Sequence, residues 1–265
     1  DALPRRFDLL KMKRAFSDWQ TKLEGRAWNA LYIENHDHPR IISRYGSEYH
    51  HKESGKMLAA MYILQRGTPF VYQGQEIGML NMSLPSVNMY PDVMTRNSAR
   101  ILSRLLPRGQ VLRLTQRSSR DSARTPMQWS DAKNAGFSTG VPWFFVNENY
   151  KRINVRSEED DPDSILNFYR KLLKFRKEHP TVLYGVYREL FPENKKMYVY
   201  ERLYEGQRLL VICSFTSEQL RFEAPEGVEL AKGAIALANY EVNFIISNGF
   251  TTRPYELRVY LFERE

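Results

Sequence analysis

Twice along the chain a short apolar run breaks abruptly into a cluster of polar side chains. Ala30-Leu31-Tyr32-Ile33 runs into Glu34-Asn35-His36-Asp37-His38-Pro39-Arg40, and Phe70-Val71-Tyr72 opens into Gln73-Gly74-Gln75-Glu76. Both runs read as short buried strands whose ends feed chemically busy loops. Each follows a helical pattern. Leu9, Met12, Phe16, Trp19 and Leu23 recur at spacings of three and four, with Gly25 as a plausible stop. Met57, Leu58, Met61, Tyr62 and Leu64 mark a second helix over 55–65, which Gly67-Thr68-Pro69 ends. The order helix, strand, polar loop, helix, strand, polar loop is the rhythm of a parallel α/β unit.

A long excursion follows, from Asn81 to about Asn154; a loop of that length is usually functional. Its aromatic residues Trp129, Phe137, Trp143, Phe144 and Phe145 are expected to be buried, with stacking on sugars as the other use of such rings. Asp163 or Ser164 can cap a helix running to about Lys177, which His179-Pro180 ends. From Thr181 the texture changes to short β-like runs (197–203, 209–214, 233–237 and 256–262) separated by turn residues. This predicts a small antiparallel domain over 181–265, appended to an α/β part over 1–180.

The 265 residues are 42% hydrophobic and 13% aromatic, enough for a packed core and against disorder. No apolar run approaches the roughly 18 residues a membrane span needs. No secretory leader is visible at Asp1, and the single cysteine, Cys213, cannot form an internal disulfide. A cytoplasmic location is expected on these grounds. The net charge of +8 raises the question of nucleic acid. Arg96, Arg100, Arg104 and Arg108 recur every fourth residue, and Ile101, Leu102, Leu105 and Leu106 lie between them. An amphipathic helix with a solvated basic side is expected, and no nucleic-acid partner.

Asn35-His36-Asp37 is the first chemical constellation. At the mouth of a buried strand, Asp can accept hydrogen bonds from neighbouring sugar hydroxyls, His can donate or accept one, and Asn can fix the pair from behind. The same residues could simply form a turn, and spacing alone does not choose between these readings.

A resemblance chooses. Residues 31–40 resemble the fourth conserved region of α-amylase-family glycoside hydrolases (family 13), at the end of the seventh barrel strand. Residues 67–79, Gly-Thr-Pro-Phe-Val-Tyr-Gln-Gly-Gln-Glu-Ile-Gly-Met, match the family's eighth strand. The block Arg120-Asp121-Ser122-Ala123-Arg124-Thr125-Pro126-Met127-Gln128-Trp129 is similar to the subgroup that contains oligo-1,6-glucosidase, dextran glucosidase, trehalose-6-phosphate hydrolase and sucrose isomerase.

The resemblance implies a fold of the α/β class. Residues 1–180 would be the C-terminal part of a (β/α)8 TIM barrel, with a long loop after its last strand (about 81–154), and 181–265 a small antiparallel β-sandwich. It implies that His36 and Asp37 contact the glucose at subsite −1, with Asn35 behind them. Asp37 would stabilise the oxocarbenium-like transition state. Arg124 would face the leaving-group side with Arg120 near it, and Arg40 would orient the Asp37 loop. Gln73, Gln75 and Glu76 would stand at the top of the last strand, Glu76 fixing the loop. His38 departs from a frequent Gln and Gln75 from a frequent Glu, which blurs the preferred glucoside.

The nucleophile and acid/base motifs of strands four and five are absent from this sequence. The expectation is therefore the C-terminal portion of a retaining, exo-acting α-glucosidase for α-1,6 or α-1,4 bonds. Its partners would be an oligosaccharide and the N-terminal portion of the same enzyme, with no cofactor and no metal. The alternatives are trehalose-6-phosphate hydrolysis or sucrose isomerisation on the same fold, and a non-catalytic carbohydrate-binding or interaction module.

Overall fold

A computed structural model describes residues 7–242 and 247–263. The first stretch contains α1 (Leu9–Lys22), β1 (Ala30–Leu31), α2 (Ile41–Tyr45), α3 (His51–Ile63) and β2 (Thr68–Pro69). Next come α4 (Val93–Leu102), α5 (Arg108–Ser118), α6 (Val155–Glu159), α7 (Ile165–Glu178) and α8 (Pro180–Tyr184), joined by 3-10 turns. The strands β3 (Val186–Leu190), β4 (Met197–Tyr204), β5 (Gln207–Ser214) and β6 (Arg221–Glu223) follow, then β7 (Ala234–Ala238), β8 (Gly249–Thr251) and β9 (Leu257–Phe262). The chain divides into two compact units. One holds Ile33–Glu48 and Val71–Asn167; the other holds Asp8–Tyr32, Tyr49–Phe70 and the described residues from Phe168 onward.

In the second unit β1 and β2 pair in parallel, with Ala30 opposite Thr68 and Leu31 opposite Pro69. The ladder is extended by Phe70 N–H, which donates to Leu31 O at 2.8 Å. Gly67, at φ +142°, makes the approach possible, because a Cβ there would lie 2.5 Å from Asn29 O and 2.8 Å from Leu31 Cγ. The strand expected over Phe70-Val71-Tyr72 is displaced to Thr68–Pro69, and Phe70 is 57% exposed rather than buried. Register against β1 sets the strand's place, and among the described residues β2 pairs with β1 alone, which leaves Phe70 uncovered on its other side.

Five strands form an antiparallel sheet in the order β3-β4-β5-β9-β7, and β6 pairs with β8 in a separate ladder. Period-two alternation divides the residues of β4 between two environments. Met197 and Val199 enter a core with Leu210, Ile212, Phe222 and Tyr260. On the other face Tyr198 OH bonds to Tyr187 OH of β3 at 2.8 Å, while Tyr200 and Arg202 bond to helices. Tyr200 OH donates to Met61 O at 3.0 Å, and Arg202 Nη1 donates to Gln20 Oε1 at 2.8 Å. Lys13 of α1 is fully buried, and its ammonium donates to Phe191 O, Pro192 O and Asn194 O at 2.8, 3.0 and 3.1 Å, holding the β3–β4 turn. Cys213 lies inside β5, buried, and burial pushes its thiol up.

In the first unit the expected single basic helix is two helices. α4 ends at Leu102 and α5 begins at Arg108, so Arg96 and Arg100 lie on one helix, Arg104 between them, and Arg108 on the next. Pro107 explains the break, since it lacks an N–H and disfavours helix in the residue before it. Asp92 caps α4, accepting from Thr95 N at 2.8 Å, and Ser164 caps α7, accepting from Asn167 N at 3.1 Å.

Candidate active site

Asn35, His36 and Asp37 form a turn within the first unit. Asn35 Oδ1 accepts from Asp37 N–H at 2.8 Å, and His38 N–H donates to Asn35 O at 3.2 Å. The turn reading and the ligand-holding reading thus describe one piece of backbone: the asparagine folds the loop that presents the next two side chains. Both are well exposed, at 67% for the His36 side chain and 48% for Asp37.

The loop is anchored from below by an ion pair with no exposure. Arg40 Nη1 donates to Glu34 Oε1 at 2.6 Å and to Gln73 O at 2.7 Å, while its Nε donates to Ser122 O at 3.2 Å. Glu34 Oε2 accepts from Ile41 N–H at 2.9 Å. One guanidinium therefore joins the loop that carries Asp37, the loop after β2, and the 3-10 turn Arg120–Arg124. Burial raises the Glu34 carboxyl above its ordinary range, against the pull of Arg40. Gly74, at φ +85°, closes the same junction, because a Cβ there would collide with Met79 Sδ. Burial likewise raises Glu76, whose Oε2 is buried without a hydrogen-bond partner. Gln73 Nε2 reaches Ala123 O at 3.3 Å, and buried Gln75 accepts from Tyr72 N–H at 3.3 Å.

Arg120 and Arg124 converge on Asp37. Each donates to Asp37 Oδ1 at 2.9 Å, from Nη1 and Nη2 respectively. Arg124 Nε also donates to His36 O at 2.9 Å. Behind them lies Asp92, nearly buried, whose Oδ1 accepts from Arg120 Nε at 2.9 Å and Nη2 at 2.8 Å. Burial works against ionisation of Asp92, but the hydrogen bonds from Arg120 and Thr95 prevail and hold its carboxyl below the usual range. Asp121, which accepts from Asp92 N–H at 3.0 Å, is raised, chiefly by burial. The array leaves Asp37 Oδ2 facing solvent, with His36 Nε2 at 3.5 Å. All the residues expected at the site are therefore brought together. Asp92 was not anticipated as a member; its only sequence signal is its place, three residues before Thr95, as a helix cap.

The excursion's aromatics are less buried than expected. Phe144 is buried, but Trp129, Phe137 and Phe145 are at least 42% exposed and Trp143 is 86% exposed. Among the described residues no group of three or more His, Cys, Asp or Glu side chains could hold a metal ion, and no helix is long and apolar enough to cross a membrane.

A two-arginine clamp on an exposed carboxylate, set in the loops after short parallel strands, suits recognition of a hydroxyl-rich ligand. Residues 4–185 match the family described as alpha amylase, catalytic domain. The chain belongs to this family of glycoside hydrolases. Among curated proteins it is 41% identical to an oligo-1,6-glucosidase of Halalkalibacterium halodurans, over 97% of this chain and 46% of that protein. It is 37% identical to a trehalose-6-phosphate hydrolase of Bacillus subtilis, over 96% of this chain and 46% of that protein. The crystal structure of Bacillus licheniformis trehalose-6-phosphate hydrolase superposes with a TM-score of 0.92 at 38% identity, covering 98% of this chain and 48% of that one. The chain spans about half the length of the curated relatives it matches.

Proposed function

We propose that this chain supplies one wall of the glucoside pocket of a retaining, exo-acting α-glucosidase, with Asp37 as the transition-state-stabilising carboxylate. The observation that carries the reading is the arrangement around Asp37. Arg120 and Arg124 take one carboxylate oxygen, and the other is left open. The open oxygen can accept from neighbouring sugar hydroxyls, with His36 beside it as a further donor or acceptor. As the anomeric carbon gains positive charge, a fixed and ionised carboxylate is worth more to the transition state than to the ground state. Arg124 would border the leaving group, Arg120 would lie beside it, and Asn35 and Arg40 would keep the loop in position.

A retaining glycosidase also needs a nucleophile and an acid/base carboxyl about 5–5.5 Å apart. This chain's partner would be the N-terminal portion of the same enzyme, bringing both of those groups. In that reading residues 1–180 complete a barrel with the missing portion, and 181–265 form the appended β-sandwich domain. The whole would cleave α-1,6 or α-1,4 glucosidic bonds of short oligosaccharides in the cytoplasm. The similarity to trehalose-6-phosphate hydrolases supports a phosphorylated disaccharide as the second reading.

The test compares the 265-residue chain with the complete protein on p-nitrophenyl α-glucoside. The complete protein should turn over, and its Asp37→Asn variant should be slower by a factor on the order of 100–1,000. The chain alone should be inactive; turnover by it would overturn the claim that the nucleophile and acid lie elsewhere.

A further inference from the structure

Beside Asp37, entirely within the first unit, lies a cleft of about 420 Å³. Arg44, Arg117 and Arg120 line it together with His38 and Ser98, and Leu102 supplies apolar wall. Its charges do not balance internally. The carboxylates that line it, Asp37 and Asp92, are matched by the guanidiniums of Arg120 and Arg124. Arg44 and Arg117 are left over. Among the described residues neither has a carboxylate within ion-pair distance, and Arg44 only lies over the Tyr45 ring at 4.7 Å. His38 is half-buried with no side-chain hydrogen bond, and the Ser98 hydroxyl is likewise uncommitted.

We infer that this cleft is an anion site that takes a phosphate group. Uncompensated guanidiniums from different elements, α5 and the last turn of α2, match a compact dianion better than a single carboxylate. His38 and Ser98 can each donate to a further phosphate oxygen. The site shares Asp37 and Arg120 with the proposed glucoside pocket, so a phosphate carried on the sugar would lie beside that pocket. That placement rests on the glucoside-site reading; the anion site itself does not. The phosphate can belong to the sugar or be free in solution.

Isothermal titration of the complete protein with glucose, glucose 6-phosphate and inorganic phosphate tests this, alongside the variant Arg44→Gln/Arg117→Gln. Both arginines are exposed, and circular dichroism establishes that the variant is folded. Glucose 6-phosphate should bind roughly tenfold or more tightly than glucose, with the advantage shrinking as salt is added. The variant should lose that advantage and keep its glucose affinity. Inorganic phosphate competing with glucose 6-phosphate would support a free-phosphate source, and glucose 6-phosphate binding alone would support a phosphorylated sugar. Equal binding of glucose and glucose 6-phosphate, or a variant that keeps the difference, would overturn the inference. Hydrolysis of p-nitrophenyl α-glucoside reports separately on the glucosidase reading.

Discussion

Replacing Arg40 with Met removes the one guanidinium that joins the three segments carrying the candidate site. Arg40 and Glu34 are both fully enclosed, with a 2.6 Å contact between them. Deleting one partner of such a pair leaves a buried charge uncompensated, at a cost of about 3–5 kcal/mol. Gln73 O also loses the Arg40 donor, and Ser122 O is left with the Thr125 hydroxyl at 3.3 Å. The pH dependence has a definite sign. Burial raises the folded-state pKa of Glu34 above its ordinary 4.5, and Arg40 is the largest influence opposing that rise. A carboxyl raised on folding contributes stability that is fully present below the unfolded pKa and is lost as pH rises through the folded one. Arg40→Met raises Glu34 further, so its deficit should be small near pH 4 and should widen toward pH 8. Urea unfolding of the complete protein at several pH values measures this. The double variant Glu34→Gln/Arg40→Met should recover roughly 2 kcal/mol or more at pH 8, because the stranded charge is gone. A deficit under about 1 kcal/mol that ignores pH would refute the view that this buried pair holds the site together.

Asp92→Asn should keep the cap on α4, since Asn caps helices as well as Asp, but withdraw the charge behind Arg120 and Arg124. Turnover should fall about 10–100-fold with little change in melting temperature, as expected when a charge-assisted hydrogen bond worth about 1.5–3 kcal/mol is weakened; unchanged turnover would count against the array. Because the folded pKa of Asp92 lies below 3.8, its contribution to stability should be present above that pH and fade as acid takes it through the depressed value, as an acid titration of the wild-type and Asp92→Asn proteins would register. Lys13→Met should destabilise the second unit by roughly 2–4 kcal/mol in urea unfolding, since the carbonyls of the β3–β4 turn lose their common donor; a neutral result would mean that the turn holds itself.

Much of this protein was legible as sequence because its signals are local. The periodicity of α1, the cap and stop of α7 and the alternation of β4, β5 and β9 each depend on residues a few places apart. The Asn35-His36-Asp37 turn and the Arg120–Arg124 block stand out for the same reason. Other features depend on distant partners. The short strands β3, β6 and β8 carry weak patterns and are defined by the strands they pair with. The second parallel strand moved from Phe70–Tyr72 to Thr68–Pro69, because hydrogen-bonded register against β1 decides where a strand lies and hydropathy does not. Asp92 lies far in sequence from Asp37, and only folding brings it behind both arginines. The surplus charge of Arg44 and Arg117 was likewise invisible in a net total. The family could be read directly from the chain, and so could the residues proposed to meet a sugar, since both reside in contiguous motifs. Which charges are paired emerged only on folding, because pairing depends on distances across space and on which groups lose their water.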